Sequence, residues 1–232
     1  MNRLLLCACL AALAAACNKA PARGETLGVT PDGPALPTDH PAIPNLGLVS
    51  AGPQRLSVPQ LQATYPQVFG TQLDGGAITW MIGGTPGLVQ MSDALGNPDF
   101  ITITAQDLSV NPLYLKFADD AARDGCYKSL TADFSRTGGA RQILRYASNT
   151  DTVATNPSAI NQNLAYLKLM LHGSKVDPSD PAVQSLATLW STVYQSASTS
   201  ASNVSPGSQG PVFEAWRVVC VAMVTSPEFH IY

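Results

Sequence analysis

The sequence predicts an all-α fold, an irregular bundle of about six helices set behind a signal peptide and a proline-rich tether. Three observations predict it. A capping residue followed by proline recurs at Thr85-Pro86, Asn111-Pro112, Asn156-Pro157 and Asp180-Pro181. Each cap oxygen can accept from an orphan amide of a helix start, and proline at the first helical position lacks only a donor that would go unused there. The segments behind these starts carry apolar residues at the three-to-four spacing of a helix face. Strand-like composition is confined to 77–82 and 99–104, neither with an evident partner strand, so both read as short helix or loop.

Ser57 is placed to cap a first helix with Pro59 in its opening turn, and Pro66 is expected to kink or end it before Gly70. Gly83-Gly84-Thr85-Pro86-Gly87 leads into a helix and reads as a structural turn, because it lacks the strand before and the Lys-Ser/Thr ending of a phosphate loop. Behind Asn111, Leu113, Phe117 and Ala121, with Tyr114, Ala118, Ala122 and Cys126, form an apolar stripe. Behind Asn156, the residues Ile160, Leu164, Leu167 and Leu171 face inward, and Gly173 is the stop. Asp180 opens the most amphipathic helix, with Val183, Leu186, Ala187, Trp190, Val193, Tyr194 and Ala197 on one side. The serine-rich stretch 196–209 reads as a flexible loop. A last helix runs from Pro211 to about Thr225, burying Val212, Trp216, Val219, Cys220 and Met223, and Pro227 ends it. Ser226, Pro227 and Glu228 then read as a stop and a new cap, with Phe229 and Tyr232 packing back on the bundle.

At the other end, Arg3 supplies a positive charge, Leu4 to Leu13 an apolar run, and Ala14-Ala15-Ala16 a small-residue cleavage site. This is the pattern of a secretory signal over residues 1–16. From Leu4 to Cys17 the apolar run is about 21 Å long as a helix, short of the roughly 20 residues needed to cross a bilayer. Because Cys17 follows the small triplet directly, the stretch resembles a bacterial lipoprotein signal. The resemblance implies that Cys17 is the lipid-modified first residue of the mature chain, anchored by palmitate-type chains. With no aspartate at Asn18 or Lys19, it implies the outer membrane or the periplasmic side of the envelope. The lipoprotein pattern has a branched apolar residue three before the cysteine, where this chain has Ala14, and ordinary secretion is the alternative. Residues 17–54 contain seven prolines and read as an extended tether, leaving 55–232 as the helical domain.

Charged residues make up only 12% of the chain and the net charge is −3, so the basic stripe of a nucleic-acid binder is missing. Cys7 and Cys9 leave with the signal. Cys126 and Cys220 then stand as an exported pair and a disulfide candidate. Both fall on apolar helix faces, so two buried free thiols are the alternative. Asp119, Asp120 and Asp124 share a helix with Lys116 and Arg123, which are close enough to neutralise them; a solvated charged face is expected rather than a metal site. His40 lies in the tether and His230 near the last residue, while His172 sits in the last turn of its helix, where a capping role suits the macrodipole. These three histidines form no ligand set. No Gly-x-Ser-x-Gly, His-Glu-x-x-His or Cys-x-x-Cys-His pattern occurs, and no catalytic, metal or cofactor residue is assigned.

Three stretches carry a wider resemblance. They are Arg55-Leu-Ser-Val-Pro-Gln-Leu-Gln-Ala-Thr-Tyr-Pro-Gln-Val-Phe-Gly70, Asn163-Leu-Ala-Tyr-Leu-Lys-Leu-Met-Leu-His-Gly173 and Trp216-Arg-Val-Val-Cys-Val-Ala-Met-Val-Thr-Ser-Pro-Glu-Phe-His-Ile-Tyr232. Together they resemble exported helical domains of unknown function found in planctomycete and myxobacterial cytochrome-c-associated proteins and related lipoproteins. The chain departs from that pattern at Pro66 and has no cytochrome segment of its own. The resemblance implies a non-catalytic lipoprotein that serves as an accessory or scaffold component of an exported, cytochrome-associated complex. Its partners would be the membrane, through the lipid anchor, and another exported protein, with no nucleic acid. The alternative is an exported enzyme or small-ligand carrier with a pocket between helices.

Overall fold

Helix starts carry the pattern of the architecture. The computed structural model describes residues 54–98, 101 and 105–231. In chain order these form α1 (Val58–Phe69), β1 (Met81–Ile82), β2 (Thr85–Pro86), α2 (Gly87–Gln90), α3 (Pro112–Phe134), α4 (Pro157–His172), α5 (Pro181–Thr199), α6 (Pro211–Val224) and α7 (Pro227–His230). The fold is an all-α irregular bundle, with one two-stranded hairpin among the described residues. The expected signal peptide with Cys17, the expected tether up to residue 53 with His40, Tyr232 and all of 99–104 except Ile101 lie outside the described residues.

Three of the expected starts are capped as their sequence requires. Asn111 accepts from the Tyr114 amide at 2.8 Å, Asn156 from Ala159 at 3.4 Å and Asp180 from Ala182 at 2.8 Å. Ser57 and Gln60 complete a reciprocal capping box at the start of α1. Pro66 lies inside the helix, which ends at Phe69, before Gly70. The donor that Pro66 lacks would have served the carbonyl of Gln62, an exposed residue, and Gly70 then stops the helix with φ 76°.

Thr85-Pro86 is a correction. It does not cap a helix but forms β2, paired antiparallel with Met81–Ile82, so residues 77–82 are not simply helix or loop. Gly83 (φ 55°) and Gly84 (φ 88°) turn the chain, adopting the left-handed conformations a two-residue hairpin needs. A hairpin this short hides its partner strand in what reads as a turn. Helix α2 then begins at Gly87 without a side-chain cap. A methyl group at Gly87 would collide with the Trp80 indole, which packs on that backbone.

Two further expectations shift. Leu113 is 45% exposed, so the buried stripe of α3 runs instead through Tyr114, Ala118, Ala121, Ala122, Gly125, Cys126 and Ser129. The loop expected from residue 196 starts later, because α5 persists to Thr199. Hydroxyls of Ser185, Thr188, Ser191, Thr192 and Ser198 donate to carbonyls four residues back at 2.7–2.9 Å, so these polar side chains are turned onto the helix's own backbone.

Helix α3 is the member to which other elements attach. Cys126 is bonded to Cys220 of α6, both sulfurs fully buried, with Cα atoms 5.9 Å apart. Phe213 of α6 meets the Tyr127 and Phe134 rings edge-on, and Trp216 meets Trp190 of α5 at 5.9 Å. On its other side Gly125 leaves room for the Phe69 ring of α1. At its end, buried Asp133 accepts the amides of Gln142, Ile143 and Leu144 at 2.6–2.8 Å. Asn163 of α4 accepts from Tyr146 and donates to the Ile143 carbonyl, both at 2.9 Å. An irregular segment can therefore bury Ile143, Leu144 and Ala147 with its backbone polar groups satisfied.

Three stability measurements check this packing by denaturant unfolding. Gly125→Ala gains up to about 1 kcal/mol of helix propensity, yet is expected to lower stability by about 1–3 kcal/mol by overpacking against Phe69. Asp133→Ala leaves three amides without their acceptor and is expected to cost about 3 kcal/mol or more. Replacing both Cys126 and Cys220 by alanine releases a crosslink between residues 94 apart in sequence and is expected to cost about 2–5 kcal/mol. Intact mass of the native chain should be 2 Da below the reduced value.

Candidate functional site

The sequence-derived candidates separate into a covalent link, a set of ion pairs and a cap. Cys126 and Cys220 meet as a disulfide in the core, away from solvent. The aspartates of α3 do not converge. Lys116 pairs with Asp120 at 2.5 Å and Arg123 with Asp119 at 2.7 Å, both at the surface. Asp124 pairs instead with Lys128 at 2.6 Å and also accepts the Met81 amide at 3.1 Å, tying the hairpin to α3. Among the described residues no group of three or more His, Cys, Asp or Glu side chains is placed to hold a metal ion.

His172 caps across helices rather than its own helix end. The Lys168 ammonium has only donors, so Nδ1 accepts from it at 3.0 Å and the ring hydrogen sits on Nε2. That hydrogen goes to the Met223 carbonyl at 2.9 Å in the last turn of α6.

A second polar centre gives no local warning in the sequence. Arg55 is fully buried and donates to the carbonyls of Ser109 (2.8 Å), Leu56 (3.1 Å), Leu95 (2.6 Å) and Asp107. Its guanidinium lies 4.2 Å over the Tyr114 ring, and the Tyr114 hydroxyl bonds His230 Nδ1 at 2.8 Å. The Leu56 amide donates to the His230 carbonyl at 2.7 Å, and Arg55 pairs with Ile231 as an antiparallel bridge. The first and last described segments thus meet here, roofed by the contact of Phe229 with Tyr65. Burial pushes the Tyr114 hydroxyl up to about 12, against the pull of Arg55. The node is closed to solvent and works as a fastening.

The solvent-facing candidates among the described residues include three open clefts. One, about 340 Å³, lies between α3 and residues 205–208, with Arg123, Tyr127, Phe213 and Arg217 among its walls. Glu214 holds Arg217 through two contacts at 2.6 and 3.1 Å, and Ser205 joins both. Burial opposes the charge on Glu214, but Arg217 and Ser205 outweigh it and keep the carboxyl below its usual range. The arginine is therefore occupied internally. A second cleft, about 290 Å³, lies beside Leu73 and Tyr127.

The third cleft, about 400 Å³, is built on a rigid helix. Ala165, Tyr166 and Leu169 of α4 form its floor, with Tyr146 on one side and Lys175, Val176 and Pro178 on the other. Tyr146 is 57% exposed and Leu169 48% exposed. The two tyrosine rings meet edge-on at 5.9 Å, and Tyr166 is held by a bond from its hydroxyl to the Gln142 carbonyl at 3.1 Å. The segment that Asp133 and Asn163 fix thus delivers Tyr146 to the groove. Sequence periodicity gives the inward face of α4 but not this outward partner, because Tyr146 belongs to a segment without a period. Such a surface offers apolar area and two phenols to a polypeptide, with no converging acid–base pair. A scan against protein-family models and searches of curated proteins and of solved structures found no match to this chain.

Proposed function

We propose that this chain is a non-catalytic accessory lipoprotein of the cell envelope, held by acylated Cys17 on the 17–54 tether and docking onto another exported protein. The observation that carries the reading is the groove of Tyr146, Tyr166 and Leu169, an apolar surface left open on an otherwise ordered helix. The buried disulfide supports folding in an oxidising compartment. The secretory pattern before Cys17 supports the anchor, and the resemblance to cytochrome-associated exported domains supports a cytochrome-bearing assembly as the partner class.

Two measurements test it in the full chain. Intact mass of the membrane-extracted protein should show acyl chains on a mature chain beginning at Cys17, and an unmodified secreted chain would contradict the anchor. A photo-crosslinking residue at position 146 should give one discrete adduct in envelopes, lost with Leu169→Glu, while the same probe at exposed Thr188 gives none. Equal adducts at both positions would contradict docking through this groove.

A further inference from the structure

The C-terminal segment closes on the body of the protein through a histidine that has room for only one protonation state. His230 is almost fully buried, and its Nδ1 is taken by Tyr114. Its Nε2 is buried with no hydrogen-bond partner. Doubly protonated imidazole would hold a full charge away from water, with no formed hydrogen bond at Nε2 and only the attraction of the Val224 carbonyl to offset it. It would also place a second positive charge beside the Arg55 guanidinium, itself buried under Tyr114.

We propose that residues 226–231 form an acid-released clasp, in which a proton taken by His230 frees the segment from the Arg55 strand and uncovers Tyr65 beneath Phe229. What holds the clasp is short and local. It comprises the Leu56 amide on the His230 carbonyl, the Arg55–Ile231 bridge, the Tyr114–His230 bond and the Phe229–Tyr65 contact, with the Ser226 hydroxyl bonded to His172 and to the Met223 carbonyl at the hinge end. Helix α7 is only four residues long and has no side-chain cap, so it adds little hold of its own.

The groups around the ring decide the sign. From the first segment comes the Arg55 charge, with the Asp107 carboxylate beside it engaged by Ser109. From α3 comes Tyr114 and from α1 Tyr65, whose hydroxyl burial pushes above its usual range. On α7 the Glu228 carboxyl is held below its usual range first by a backbone contact of its own and then by Ser226, with Lys168 and His172 of α4 facing it. From α6 the Val224 carbonyl favours the protonated ring. Burial and Arg55 outweigh it and bring His230 down to about 4. A base lowered in the folded state gives a clasp fully held above its ordinary value of 6.5 and weakened as pH falls towards 4. Across that window the equilibrium moves towards release by up to about 300-fold.

The test uses the full chain, with hydrogen exchange corrected for intrinsic rate and an imidazole NMR titration in the same samples. The Leu56 amide should lose at least tenfold protection between pH 7 and pH 4.5, ahead of the closed ring's own titration near 4, while Leu167 in α4 keeps its protection. In His230→Gln the Leu56 protection should not change with pH. Leu56 protection that is constant between pH 7 and pH 4.5, or that falls together with Leu167, would overturn the proposal. So would a His230 ring that titrates at 6.5 or above. The wild-type measurements decide the matter even if the glutamine variant does not fold.

Discussion

A buried guanidinium that spends its donors on backbone carbonyls is the constraint on which the described fold turns. Removing a charge from water costs several kcal/mol unless its donors are met. Arg55 meets the cost with four backbone carbonyls and the face of Tyr114. Those carbonyls belong to Leu56, Leu95, Asp107 and Ser109, so one side chain fixes the first described segment and the approach to α3 together. Gly96 is part of the fit: its φ of 78° and the room a missing side chain leaves let the Asp107 carbonyl and Arg55 come close. Arginine suits the place because its planar fork reaches several acceptors while its face stacks on a ring.

From this fastening, helix α3 distributes order to the remaining elements. Its start is held through Tyr114, its middle by Phe69 against Gly125 and by Cys126 bonded to α6, and its end by Asp133. The hairpin hangs on Asp124 and Lys128. On the far side, α5 and α6 make the most extensive helix pair, centred on Trp190 and Trp216. Asp133 links this interior to the surface, because the segment it fixes carries Tyr146 to the groove on α4. The groove is therefore preorganised by core hydrogen bonds.

What was legible in the sequence was local. Asn111, Asn156 and Asp180 announce helices because cap, proline and apolar stripe lie within one or two turns. Thr85-Pro86 carries the same dipeptide and forms a strand, since the glycine pair before it brings Met81–Ile82 alongside. The cysteines were a candidate pair by count, and only the proximity of α3 to α6 decides between bridge and free thiols. Ile143, Leu144 and Tyr146 follow no period because acceptors on Asp133 and Asn163, distant in sequence, hold them. Arg55 and His230 give no burial signal, being polar residues near segment ends. Arg55 belongs to the first described segment and His230 to the last, and in space those two segments touch.

The picture joins a disulfide-stabilised helical body and its open aromatic groove to a proposed envelope anchor and a proposed histidine-gated clasp. Groove and clasp depend on the same interior order, and that order depends on Arg55. The most direct measurement is denaturant unfolding of Arg55→Lys at pH 7, combined with hydrogen exchange at Leu56, Gly96 and Ile231. Lysine keeps the charge but cannot reach four carbonyls and stack on Tyr114 at once. The account predicts a loss of about 3 kcal/mol or more, with exchange rising at all three amides. A midpoint unchanged within about 0.5 kcal/mol, with those amides still protected, would contradict it.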